Sequence, residues 1–170
     1  MSGSTRPLDP LTWIGLPSVL VVLVTLILLV PVRVFGFQLP EPVFALVPAF
    51  AWAVIRPSIL APFALLVLGL IMDVLWGTSL GLWPLGLLFA YGVIFAVRTF
   101  LAGRGHWFML AWYALVCVLA ELMAFLITRI AAGATPSLAA MVWQSLATIL
   151  LFPFAYFLVD RFEDADVRFR

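Results

Sequence analysis

The sequence predicts an all-α integral membrane protein with six transmembrane helices. Of its 170 residues, 66% are hydrophobic and only 10% are charged, and the mean hydropathy is +1.24. Soluble domains are closer to half apolar and a quarter charged. The apolar residues also fall into runs of about 20, the length at which a helix crosses a bilayer core. We therefore expect one membrane domain over residues 1–170.

Short polar breaks divide the chain into six predicted spans. The spans cover residues 13–32, 37–55, 58–76, 80–97, 107–128 and 138–159, with short tails at 1–12 and 160–170. The second span is the weakest, because it contains Gln38, Glu41 and several prolines. We expect its regular helix to begin near Val43 and to bend at Pro48, since proline removes a helical hydrogen bond. A five-span arrangement with a re-entrant second run is the alternative.

Arginine placement predicts the orientation, since all nine basic residues are Arg. Cytoplasmic loops of membrane proteins carry an excess of positive charge. With six spans and the N-terminus inside, the outer ends hold only Arg33 and Arg129. The cytoplasmic ends then hold Arg6, Arg56, Arg98, Arg104, Arg161, Arg168 and Arg170. This bias favours six spans with both termini in the cytoplasm, whereas five spans place the C-terminal arginines outside.

Residues that carry out catalysis are sparse in this chain. His106 is the single histidine and follows a loop of glycine and arginine, and Cys117 is the single cysteine and lies in an apolar run. We find no ligand spacing typical of a metal site, no nucleophile beside a base and no phosphate-binding glycine loop. A net charge of +1 gives no sign of nucleic-acid binding. We expect no enzymatic activity, no catalytic residue, no metal and no cofactor.

Asp73 ends an otherwise uncharged span and is followed by the glycine-rich segment 77–81. A carboxylate costs about 2.5–3.5 kcal/mol at the centre of a membrane helix and less near its end, so a local group must stabilise it. One hypothesis is that Asp73 caps the turn through free backbone N–H groups. The other is an ion pair with Arg33 or Arg129 on the same predicted side.

Glu121 lies well inside the fifth span and should face the helix bundle or another subunit. Cys117 and Thr128 fall near the same side at helical spacing, and the Thr128 hydroxyl is a candidate partner. Glu121 is either a proton or ligand site, or a polar lock between helices. The structural alternative is a protonated carboxyl group that is hydrogen-bonded across the bundle and serves packing alone.

Two kinds of residue complete the set of candidates. The Arg56 guanidinium, before Pro57, can bind lipid phosphate or a partner carboxylate, or can act as a positive-inside anchor. Gly69 and Gly77 allow close helix approach and a tight turn. The candidate partner-binding or structural residues are Arg56, Pro57, Gly69, Asp73, Gly77, Gly81 and Glu121.

The central segment resembles the bacterial rod-shape-determining MreD family. The resemblance is carried by Arg56-Pro57, by GLIMD at 69–73 and by GTSLG at 77–81. The FPFAY segment at 152–156 also looks like the proline-bearing last helix of that family. Glu121 does not belong to the family motif, so the resemblance leaves its role open.

The resemblance implies a non-enzymatic scaffold of the elongation machinery in the cytoplasmic membrane of rod-shaped bacteria. Such a protein binds MreC and helps to couple MreB filaments to the RodA–PBP2 peptidoglycan synthase. The family is also similar in fold to the six-helix substrate-binding S components of energy-coupling-factor vitamin transporters. Membrane lipids are the other expected partners.

A transporter subunit is the alternative function. Glu121 and Asp73 would then line a pocket for a small solute, which needs several convergent polar groups. Apart from these two, the polar residues of the spans are mainly Thr25, Gln144, Ser145 and Thr148. A lipid flippase would need a continuous polar groove, and the sequence shows no pattern for one.

Overall fold

The computed structural model describes residues 11–29, 33–34, 37–38, 41–55, 58–101, 103–132 and 137–167. Arg56 and Pro57 lie outside these described residues. The elements are a π-helical turn Leu11–Gly15, α1 Leu16–Leu28, β1 Arg33–Val34, β2 Phe37–Gln38, α2 Leu46–Ile55, α3 Leu60–Trp76, α4 Leu82–Leu101, α5 His106–Ala132, α6 Leu138–Ile149 and α7 Phe152–Val167. The helical fold class is confirmed, with one addition: β1 and β2 form a two-residue antiparallel pair.

Three helical stretches of the described chain are long and apolar enough to cross a bilayer. They are Leu82–Leu101, His106–Ile130 and Leu138–Asp160. Three shorter apolar helices accompany them, at Thr12–Leu28, Leu46–Ile55 and Leu60–Trp76. These apolar helices are compatible with a membrane protein. The three long stretches correspond to the predicted spans 80–97, 107–128 and 138–159.

The predicted second span differs most from the structure. Residues 37–38 are a strand, and α2 begins only at Leu46, so the helix is about 15 Å long at 1.5 Å per residue. Pro48 falls in the first turn of α2, where a missing N–H breaks no helical hydrogen bond. The proline therefore stands at the start of the helix and has no need to bend it, contrary to our expectation.

The short helix α2 forms the centre of the protein. Its residues Leu46 to Ala53 are all buried, and α4 and α7 pack against it. The Phe50 ring meets the edge of the Tyr113 ring of α5, with centroids 5.3 Å apart. α3 packs on α4, and α5 packs on both α4 and α6. An apolar helix buried on all sides belongs to the core of a large bundle.

Two prolines explain irregularities in the longer helices. Pro17 has no N–H to offer the Trp13 carbonyl four residues earlier, and that carbonyl accepts instead from the Trp52 indole N–H at 3.0 Å. Pro153 acts similarly, since it cannot bond to Ile149 and its ring crowds the preceding turn. The predicted span 138–159 corresponds to the apolar stretch Leu138–Asp160, which has a break at 150–151 between α6 and α7.

The break between α6 and α7 is supported from α5. The Tyr113 hydroxyl donates to the Thr148 carbonyl at 3.2 Å, one turn before Phe152. The Leu151 N–H also bonds that carbonyl, at 3.0 Å. These bonds hold the backbone next to the Ile149 carbonyl, which Pro153 leaves without its helical donor.

Candidate functional site

The carboxylate of Asp73 lies at the end of α3 and binds the turn that leads into α4. Oδ1 accepts from the Thr78 hydroxyl at 2.8 Å and from the Trp83 N–H at 3.1 Å. Oδ2 accepts from the Gly81 N–H at 2.7 Å. The side chain is 1% exposed. These bonds therefore replace the hydrogen bonds to water that the carboxylate loses on burial.

Asp73 thereby serves as the N-terminal cap of the following helix. The first N–H groups of a helix have no partner within it, and their positive dipole end favours an anion. In α4, the Trp83 N–H bonds Asp73, while the Leu82 N–H bonds the Ser79 carbonyl at 3.1 Å. Pro84 brings no N–H, and the Leu85 N–H bonds the Gly81 carbonyl at 3.1 Å. Every donor of this first turn is accounted for.

Three glycines set the backbone around this cap. Gly77 and Gly81 have φ angles of 64° and 97°, which side chains other than glycine rarely tolerate. Gly69 lies one turn before Asp73, on the same face of α3. A Cβ at Gly69 would lie 2.6 Å from the Cα of Pro84, so the absent side chain lets α3 contact the first turn of α4.

The structure shows the first of the two arrangements expected for Asp73, the cap. The alternative ion pair involved Arg33, whose side chain lies outside the described residues, and Arg129, which is exposed near the end of α5. The described bonds of the carboxylate all go to residues 78–83. We name this unit, residues 69–84, the α3–α4 cap.

Glu121 anchors a second polar cluster, between α5 and α6. Its Oε2 accepts from the Ser145 hydroxyl, and its Oε1 lies 3.3 Å from the Thr148 hydroxyl oxygen. Glu121 is 3% exposed and Thr148 is fully buried. The cluster links two helices by side-chain hydrogen bonds within an otherwise apolar interior.

The same face of α6 also holds the chain segment before α2. The Val43 N–H donates to the Thr148 hydroxyl oxygen at 3.1 Å, and the Gln144 side-chain amide donates to the Glu41 carbonyl at 3.1 Å. The Thr148 hydroxyl also lies 2.8 Å from the Gln144 carbonyl. We name the set Glu41, Val43, Glu121, Gln144, Ser145 and Thr148 the Glu121 cluster.

The predicted surroundings of Glu121 were partly wrong. Thr128, the expected hydroxyl partner, donates to the Ala124 carbonyl of its own helix at 2.8 Å. Cys117 is fully buried on the same helix. The true partners were visible as polar residues of the last span, and their spacing over 144–148 was the signal that could have paired them with Glu121.

Two tryptophans within the α3–α4 cap contact each other, which the sequence did not indicate. The rings of Trp76 and Trp83 meet edge to face with centroids 5.0 Å apart. Their buried indole N–H groups have no hydrogen-bond partner within the part of the chain that the structure describes. The rings pack the end of the helix pair next to Asp73.

A surface groove lies at the opposite end of the same helix pair. Its volume is about 410 Å³, and it is lined by Ser58, Ile59, Pro62, Tyr91 and Phe95. It shares no lining residue with the Glu121 cluster or the α3–α4 cap. Among the described residues, no group of three or more His, Cys, Asp or Glu side chains is placed to hold a metal ion.

Together, these features define a predominantly helical protein of membrane-like composition, with two internal hydrogen-bonded clusters that join its helices. Comparisons with protein-family models, with curated proteins and with solved structures give no significant match.

Proposed function

We propose that this protein is a non-enzymatic scaffold of the MreD type in the bacterial cytoplasmic membrane. The observation that carries the proposal is the α3–α4 cap. Gly69, Asp73, Gly77 and Gly81, four residues of the motif on which the resemblance depends, lie in this one hydrogen-bonded unit. A motif whose residues fix the shape of a helix hairpin suits a protein that works by helix-on-helix contact.

The role we assign to Asp73 in partner binding is indirect. Its carboxylate is buried and already accepts three hydrogen bonds, so it has little capacity left for a partner. What it controls is the shape of the turn, where Leu80 is 76% exposed. We propose that this tip contacts the transmembrane helix or membrane-proximal segment of MreC.

The wider assembly follows from that contact. MreC would be held directly, and MreB filaments and the RodA–PBP2 synthase would be coupled through the assembly. The proposed result is maintenance of rod shape during peptidoglycan synthesis.

The proposal includes six membrane crossings with both termini in the cytoplasm and an arrangement like that of S components. The segment around α2, which is the second predicted span, can complete the six crossings although its helix is short. Irregular backbone is tolerated at membrane depth only where protein surrounds it. Glu41 and Val43 are bonded to α6 in this way, and Leu46 to Ala53 are buried.

The transporter alternative receives less support from the same contacts. It requires Asp73 and Glu121 to line a solute pocket. Both carboxyl groups instead bond neighbouring residues of the chain, and the described groove lies among other residues.

Co-purification from native bacterial membranes tests the proposal. We expect MreC to be recovered with the tagged wild-type chain, and Leu80→Ser to lower its recovery because the tip loses its apolar contact. Leu138→Ser is the matched control. Leu138 is likewise an exposed leucine, at 63%, and lies on the same predicted side of the membrane as Leu80. Size-exclusion profiles measure the amount of folded protein for each variant.

Two results would contradict this assignment. Recovery of MreC that is unchanged by Leu80→Ser would remove the turn tip from the interface. Recovery of an ATPase pair and a coupling subunit, with no cell-wall protein, would indicate a transporter.

A further inference from the structure

The groove between the start of α3 and the second half of α4 is a candidate binding site outside the α3–α4 cap. Ile59 is 92% exposed at its rim, and Phe95 is 39% exposed. The hydroxyl oxygen of Ser58 accepts from the Leu60 N–H at 3.2 Å. Most of the lining is apolar, and the polar groups lie at Ser58 and Tyr91.

One face of α4 combines this groove with a positive charge. Tyr91, Phe95 and Arg98 follow one another at spacings of four and three residues, which places them on one side of the helix. The Tyr91 and Phe95 rings stack with centroids 6.0 Å apart, and the Arg98 guanidinium lies 4.8 Å from the Phe95 centroid. Tyr91 and Ser58 line the same groove.

The guanidinium of Arg98 is available to an external anion. Its contact among the described residues is with the face of an aromatic ring, and a stacked guanidinium can still donate its edge N–H groups to a bidentate acceptor. The buried carboxyl groups of Asp73 and Glu121 are bonded elsewhere. Asp73 lies at the far end of the helix pair.

We propose that this groove binds one anionic phospholipid. The phosphate would bind Arg98, with the hydroxyl groups of Tyr91 and Ser58 beside it, and an acyl chain would lie against Ile59 and Pro62. Arginine near a membrane surface attracts anionic head groups, and it holds phosphate by paired hydrogen bonds. A free phosphate ion would match the arginine but would leave the apolar groove uncovered, so both halves of the site fit a lipid.

Native mass spectrometry of the full chain in neutral detergent tests this site. Delipidated protein is titrated with phosphatidylglycerol and with phosphatidylcholine of the same acyl chains. We expect phosphatidylglycerol to be retained preferentially, and Arg98→Gln to lower its retention about fivefold, the effect of one interfacial charge. Arg98→Lys keeps the charge but loses the paired hydrogen bonds, so its retention of phosphatidylglycerol should fall between those of the wild type and Arg98→Gln. Arg129→Gln, which removes an exposed charge near the end of α5, should change nothing.

A groove variant and a phosphate arm complete the experiment. Ile59→Asp places a negative charge on an exposed rim position, where unfolding is not expected, and should also lower phosphatidylglycerol retention. Equal retention of the two lipids, or equal effects of Arg98→Gln and Arg129→Gln, would overturn the proposal. Displacement of the lipid by inorganic phosphate alone would overturn the acyl-chain contact.

Discussion

The carboxylate of Asp73 makes bonds that an amide cannot fully replace. In Asp73→Asn, one oxygen can still accept from Thr78 and Trp83, but the amide N–H₂ then faces the Gly81 N–H, and two donors meet. We expect a loss of about 1–3 kcal/mol in the free energy of unfolding. Asp73→Ala should lose more, because two buried N–H groups are left unpaired. Thermal unfolding in detergent, followed by tryptophan fluorescence, measures both.

The control for this experiment is Thr78→Val. It removes one side-chain donor and leaves the backbone N–H groups bonded to Asp73, so its loss should be the smallest of the three. If Asp73→Asn unfolds at the wild-type temperature, the cap contributes no stability and Asp73 has another role.

Gly69 offers a second test at single-residue scale. Gly69→Ala places a methyl group 2.6 Å from the Cα of Pro84, so α3 and α4 must separate. Overpacking of this kind costs about 1–3 kcal/mol. Gly92→Ala is the matched control, because a Cβ at Gly92 of α4 meets nothing within 4 Å and alanine favours the helix. Equal unfolding temperatures for the two variants would contradict the close contact.

The cap shows which residue-level features the sequence could reveal. Asp73 and the glycines of 77–81 are close in the chain, so their types and spacing predicted a capped turn. The contact of Gly69 with Pro84 depends on the axial offset between α3 and α4, and the sequence does not show that offset. For the same reason Glu121 was identified as a buried polar residue without its partners on α6.

At the scale of elements, Glu121 joins α5 to α6 and, through Thr148, to the segment before α2. A glutamine can make the same kind of bonds, since its amide N–H can reach Thr148 while its oxygen accepts from Ser145. We expect Glu121→Gln to unfold within a few degrees of wild type. Glu121→Leu should lose about 1–3 kcal/mol, because the Ser145 and Thr148 hydroxyls lose a buried partner.

Pulse proteolysis in detergent distinguishes these two outcomes. Ser145→Ala is the matched control, because it removes one bond from the same cluster. Strong destabilisation by Glu121→Gln would mean that a carboxyl group as such is needed, which would favour a proton or ligand site over a lock between helices.

Element boundaries were predicted least well where prolines and buried backbone decide them. The spans that became α3, α4 and α5 were predicted within a few residues, because hydropathy and flanking turns define them. The span that became α6 and α7 was predicted as one helix, although Pro153 was visible. Where a helix breaks at a proline depends on the neighbouring contacts of its backbone, and here the Tyr113 hydroxyl of α5 bonds the Thr148 carbonyl, a contact that the sequence does not show.

In the whole molecule, the α3–α4 cap, the groove and the Glu121 cluster lie at different positions along the helices. The α3–α4 cap and the groove at Ser58, Ile59 and Tyr91 lie at opposite ends of the same helix pair, and the Glu121 cluster joins α5, α6 and the α2 region. Because the interior bonds join different helices or chain segments, each cluster constrains one part of the bundle. The orientation of these ends relative to the membrane decides which side the turn tip faces.

Labelling of single cysteines tests that orientation. In a Cys117→Ser background, Ser79→Cys, Arg104→Cys and Leu138→Cys each place a thiol at an exposed position. With six spans and the N-terminus in the cytoplasm, an impermeant maleimide should label positions 79 and 138 in intact spheroplasts. Position 104 should be labelled only after permeabilisation.

The five-span arrangement predicts the reverse pattern for the same three positions. If residues 37–55 re-enter without crossing, position 104 faces outward and positions 79 and 138 face the cytoplasm. A cysteine-free chain is the control for background labelling, and labelling of each variant in detergent shows that its thiol is reactive. With the N-terminus inside in both arrangements, a reversal across the three positions corresponds to the loss of one crossing before α3. That result would move the turn tip at Leu80 to the cytoplasmic side and would contradict the proposed six crossings.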